Sequence, residues 1–84
     1  MTLYEVLTTM QDVRIELHIF EKFGKDGMRE VEKIEESRNN TIFVNMSLNR
    51  YNNKYDMNKL DVFYIGYRSP RSRVLRINVN IRED

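Results

Sequence analysis

Residues 60–67 and 74–81 are two runs rich in β-branched and aromatic side chains, separated by Arg68-Ser69-Pro70-Arg71-Ser72-Arg73. Runs of this kind around a Pro- and Ser-bearing segment read as two strands joined by a turn, and an isolated hairpin is unstable in water until a further apolar layer covers it. With Pro70 and Arg71 at the turn centre, Leu60, Val62 and Tyr64 oppose Ile81, Val79 and Ile77 on one face, which is apolar apart from the tyrosine hydroxyl. Phe63, Ile65 and Tyr67 oppose Asn78, Arg76 and Val74 on the other, a mixed surface of rings and polar groups. Proline at the first central position suits type I and II turns better than the primed types, which allows a longer loop.

The covering layer is expected from the N-terminus. Thr2-Leu3-Tyr4-Glu5 has the form of a capping box, and Leu3, Val6, Leu7 and Met10 follow at i, i+3, i+4 and i+7, one apolar stripe of a short helix. From Asp12 the period changes to two: Val13, Ile15, Leu17 and Ile19 alternate with Arg14, Glu16, His18 and Phe20 as a strand. Gly24-Lys25-Asp26-Gly27 then turns the chain back. Residues 28–37 fit two readings, since Met28, Val31 and Ile34 have helical spacing while the preceding turn argues for a returning strand. An edge strand is preferred, its charges at Arg29, Glu30, Glu32, Lys33, Glu35 and Glu36 discouraging edge-to-edge association. Ile42, Val44, Met46 and Leu48 alternate as a further strand, and the Asn-rich segment 49–58 reads as a loop. The expected architecture is a single α+β domain over residues 1–84, a short N-terminal helix packed on an antiparallel sheet of four to five strands.

Composition narrows what such a domain does. The chain has no Cys, so neither disulfides nor thiolate metal sites supplement a modest core. A net charge of +1 makes it neither a polyanion nor a general polycation, so charge-driven binding has to come from local patches. No apolar run reaches the ~20 residues that span a bilayer, and Glu5 stands where a secretory signal would be basic and apolar; the expectation is a cytoplasmic protein without membrane contact.

The single histidine, His18, has no second His or Cys to form a metal site, so no metal or cofactor is expected, and a structural hydrogen-bonded or solvent-facing role is the default. A hydrolase built on His18 and the glutamates lacks a nucleophile–base arrangement, and the acidic run at Glu30, Glu32, Glu35 and Glu36 reads as a solvated face; no enzymatic activity is expected. The basic turn is the most suggestive feature. Arg68, Arg71, Arg73 and Arg76, with Phe63 and Tyr67, offer guanidinium forks for phosphate oxygens and rings for bases, which nucleotide or nucleic-acid binding requires; the bland reading is a solubilising hairpin end. Tyr51 and Tyr55 in the Asn-rich loop have the composition of an adaptable recognition surface. Phe20, Phe43, Phe63 and Tyr67 fall on the second face of their strands, so a sheet apolar on both sides is expected, its uncovered area suiting a homodimer or a partner protein.

The opening Thr2-Leu3-Tyr4-Glu5-Val6-Leu7, with Met10 and Asp12-Val13-Arg14-Ile15, resembles the start of small uncharacterised proteins carried by phages and prophages of low-GC Gram-positive bacteria. Val74-Leu75-Arg76-Ile77-Asn78-Val79 is similar to their final strand. The resemblance covers the two ends of the chain. It implies a phage accessory protein that inhibits a host defence protein by occupying its surface, as an anti-CRISPR or similar factor does, or that sequesters a signalling nucleotide. No functional residue carries over from it.

Overall fold

The computed structural model describes residues 1–47 and 55–82. Helix α1, Leu3–Thr9, starts at the expected capping box: the Glu5 N–H donates to Thr2 Oγ1 at 3.2 Å and the Thr2 N–H to Glu5 Oε1 at 3.3 Å. Leu3, Val6 and Leu7 bury the predicted stripe. Strand β1, Arg14–Phe23, and strand β2, Gly27–Arg38, form an antiparallel hairpin whose turn contains Gly24 at φ 68°, a conformation that costs glycine little. Segment 28–37 is thus an edge strand, as preferred from the sequence.

Residues 42–47 correct the sequence reading: they belong to helix α2, Asn39–Ser47, and not to a strand. Ile42, Val44, Met46 and Leu48 alternate, but Asn39, Ile42, Phe43 and Met46 also recur at helical spacing, and this second pattern faces the core. Ile42 and Met46 are buried, Val44 is half exposed, and the Phe43 ring lies 5.8 Å from that of Tyr4 on α1. Asn39 ties the start of α2 to the α1–β1 connection. Its N–H donates to the Val13 carbonyl at 3.0 Å, and its Oδ1 accepts from the Val13 N–H at 3.3 Å.

A 3-10 turn, Met57–Lys59, leads into strands β3, Leu60–Tyr67, and β4, Val74–Ile81, which pair as the expected antiparallel hairpin. The sheet order is β2-β1-β4-β3. The β3–β4 hairpin docks on the side of β1 away from β2, and β4 runs parallel to β1. The fold is α+β with four strands, and its sheet is mixed. Both helices lie on one face. Leu3, Val6, Leu7, Ile42 and Met46 pack on Ile15, Leu17, Ile19, Ile77 and Val79, and each buried Leu or Ile contributes roughly 1.5–3 kcal/mol.

The register of β3 differs from expectation at one point. Leu60 and Val62 oppose Ile81 and Val79 as predicted, but a bulge between Val62 and Tyr64 shifts the rest by one residue, so Tyr64 opposes Asn78 and Ile65 opposes Ile77. A bulge inserts one residue on one strand and reverses the face of the residues beyond it. Tyr64 therefore joins the open face, while Ile65 and Tyr67 turn to the helix side.

Candidate functional site

The open face of the sheet is not the apolar surface expected. All five residues Ile15–Ile19 of β1 are buried, including Glu16 at 5% and His18 at 4% exposure. A buried carboxylate is tolerated only when its charge is matched. Here His18 Nε2 lies 2.6 Å from Glu16 Oε1, Arg68 Nη1 donates to Glu16 Oε2 at 3.3 Å, and Lys33 Nζ stands 3.8 Å from Glu16 Oε1. His18 Nδ1 makes a short contact with Glu30 Oε1.

The hydrogen bond from His18 holds the Glu16 carboxyl below its ordinary value of 4.5; burial opposes this, and Arg68 and Lys33 assist it. Among the described residues no group of three or more His, Asp and Glu side chains is arranged to hold a metal ion. Elsewhere on this face Phe20 and Phe63 meet edge to face at 5.5 Å between centroids. Arg76 Nε, Asn78 Oδ1 and Asn80 Oδ1 on β4 are buried without hydrogen-bond partners among the described residues.

The second feature is a cleft of about 620 Å³ at the end of the sheet where the parallel strands β1 and β4 begin. Asp12, Val13, Arg14, Arg38, Arg68, Arg73 and Val74 line it. The sheet order brings them together: Arg14, the first residue of β1, is paired on one side with Arg38, the last of β2, and on the other with Val74, the first of β4. Arg68 and Arg73 come from the turn, which closes with the Arg68 N–H donating to the Val74 carbonyl at 3.0 Å. Arg38 Nη1 donates to Asp12 Oδ2 at 3.0 Å and Arg68 reaches Glu16, whereas Arg14 and Arg73 have no carboxylate partner among the described residues. Guanidinium groups do not deprotonate, and like charges on neighbouring strands repel. The cleft is therefore a local excess of positive charge on a nearly neutral protein.

The residues nominated from the sequence are dispersed by this geometry. Arg68 and Arg73 line the cleft. Arg71 is exposed at the turn and is not one of the lining residues. Arg76 lies on the open face, opposite Glu16 on β1 and Gly66 on β3. The bulge separates Tyr67 from it: Tyr67 opposes Leu75 and is 64% exposed, while the Tyr64 ring lies over Gly66 in its place. Phe63 stays on the open face against Phe20, and Phe43 sits on α2. Tyr51 lies outside the described residues. Tyr55 is half buried against the core; burial, with the Glu32 carboxylate assisting, pushes its pKa up to about 12. Its contribution to stability is then complete below pH 10 and lost as pH rises through the shifted value. Arg14, Arg38 and Asp12 escape a reading of the sequence, because they sit in separate stretches and carry no local signature.

An α+β protein with both helices on one sheet face, a polar open face and an arginine-lined cleft at the sheet's end is the class that fold and site define. The chain matches no protein-family model, no curated protein and no solved structure. No described helix is long and apolar enough to cross a membrane.

Proposed function

We propose that this chain is a non-catalytic binding protein whose ligand is a nucleotide, held by its phosphate groups in the arginine cleft. The observation that carries this reading is the convergence of Arg14, Arg38, Arg68 and Arg73 from three chain segments, with Arg14 and Arg73 lacking a carboxylate partner among the described residues. Guanidinium forks match phosphate oxygens in bidentate fashion, and a cleft of about 620 Å³ falls in the size range of small-molecule sites. A polymer is less well served. The positive groups gather at one end of the sheet, and Glu30 shares the open face that a nucleic acid would have to follow.

Thermal unfolding tests the proposal with pyrophosphate and with nucleoside di- and triphosphates as probes. At a ligand concentration about 100 times Kd the native state gains about 2.7 kcal/mol, which raises the unfolding midpoint by on the order of 10 °C in a domain of this size. No rise beyond that produced by sodium chloride of equal ionic strength would refute it.

A second reading, occupancy of a host protein's surface by a phage-type inhibitor, is supported by the exposed side chains of Phe63, Tyr64, Ile65 and Tyr67 on β3. The cytoplasmic phage-accessory setting implied by the two termini suits either reading, since sequestering a signalling nucleotide also disables a host response. Recovery of a stoichiometric host protein from bacterial lysate, with no response to nucleotide, would favour the second.

A further inference from the structure

The two edges of the sheet are built differently. β2 carries Arg29, Glu30, Glu32, Lys33 and Glu35, charges that keep an edge from pairing with another strand. β3 has no charged residue between Asp61 and Arg68, and its apolar residues from Phe63 to Tyr67 are 44–64% exposed. Part of this edge is occupied from within the chain: Thr2 bridges Asp61, and the Val62 N–H donates to the Met1 carbonyl at 2.8 Å. Beyond it the hydrogen bond from the Arg68 N–H to Val74 fixes the alternation, so Arg68, Gly66 and Tyr64 turn their backbone groups towards β4. Ile65 and Tyr67 turn theirs away from the sheet.

We propose that β3 pairs antiparallel with β3 of a second copy, about a two-fold axis at Gly66, to make one sheet continuous through both copies. Only antiparallel registers that oppose outward-turned residues form the ladder. With the axis at Gly66, Ile65 of each copy opposes Tyr67 of the other, and every outward N–H and C=O of the two residues gains a partner. The charges agree with this direction. Asp61 is held by Arg82 and Arg68 by Glu16 within the chain, which leaves the exposed Arg71 at one end of the stretch; antiparallel pairing keeps the two copies' Arg71 side chains at opposite ends of the seam, whereas parallel pairing would set them together. Pairing of β3 with the charged β2 edge would be heterologous and would build rings or open chains, whereas the two-fold arrangement stops at two copies.

Light scattering on size-separated protein, with amide hydrogen exchange at two concentrations, tests the seam. The expected mass is twice the chain's 10.2 kDa. The Ile65 and Tyr67 amides gain protection as concentration rises, while those of Tyr64 and Gly66 stay protected throughout. Tyr67→Pro removes a seam donor and no donor to β4, so it should weaken association at least tenfold; if it fails to fold, Tyr67→Lys on the same exposed position serves instead. Val31→Lys on the β2 edge should leave the dimer intact. A monomer at the highest soluble concentration, a mass that grows beyond two copies, or a dimer whose Ile65 and Tyr67 amides exchange freely would each overturn the proposal.

Discussion

Replacing Glu16 by Ala is expected to destabilise the protein by about 1–3 kcal/mol, the cost of leaving a buried hydrogen-bonding group without one of its partners. The carboxylate is 5% exposed and faces His18, Arg68 and Lys33, so its loss strands the buried imidazole between Glu30 and an empty site. For a chain of this length, total stability is about 4–13 kcal/mol, so the loss is a measurable share of it. The pH dependence has a fixed sign. The native carboxyl titrates below its unfolded value of 4.5, so the unfolded state takes up the proton first. The contribution is complete at pH 7, begins to fall near pH 4.5 and is lost as pH drops through the lowered native value. Urea unfolding from pH 7 to pH 3 should show a shallower acid decline in Glu16→Ala than in the native chain. A loss under about 1 kcal/mol, below the usual cost of an unpaired buried polar group, together with an unchanged acid profile, would contradict this account of the open face.

Reversing both Arg14 and Arg73 to Glu is expected to weaken pyrophosphate and nucleotide affinity at least 100-fold. Hydrogen bonds to charged groups are worth about 1.5–3 kcal/mol each, and reversal adds repulsion to their loss. Both side chains are exposed and without a carboxylate partner among the described residues, so the unfolding midpoint in urea should shift little. Surface substitutions of that kind stay within about 0.5 kcal/mol. Arg71→Glu, at the turn but outside the cleft lining, should retain most of the affinity. Equal losses in Arg71→Glu and in the double reversal would show long-range charge attraction and no defined site.

The features legible in the sequence are those with a local mechanism. The Thr2–Glu5 capping box, the stripe of Leu3, Val6 and Leu7, the glycine turn at Gly24 and the two halves of the C-terminal hairpin each arise from residues a few positions apart. The features that escape it are decided by tertiary contacts. Residues 42–47 support two periodicities, and the helical one is the one that buries Ile42 and Met46 in the core while leaving Val44 half exposed. One inserted residue near Phe63 moves Tyr67 away from Arg76 and brings Tyr64 to Gly66, a change no alternation pattern announces. His18 reads as a hydrogen-bonded or solvent-facing structural histidine, but the partners of Glu16 and His18, namely Glu30, Lys33 and Arg68, escape the sequence because they lie on two other segments. Half of the arginine cleft is visible as a cluster in the turn. The other half, Arg14 and Arg38, is paired across the β1–β2 hairpin and meets the turn arginines only through the parallel docking of β4 on β1.

The most direct measurement is a titration of the isotopically labelled protein with pyrophosphate, following the arginine side-chain Nε–Hε signals by NMR. Saturable shifts concentrated at Arg14, Arg38, Arg68 and Arg73, with Arg29 and Arg82 unmoved, are the predicted result. Small linear shifts spread over all arginines, or none, would contradict the cleft as a binding site.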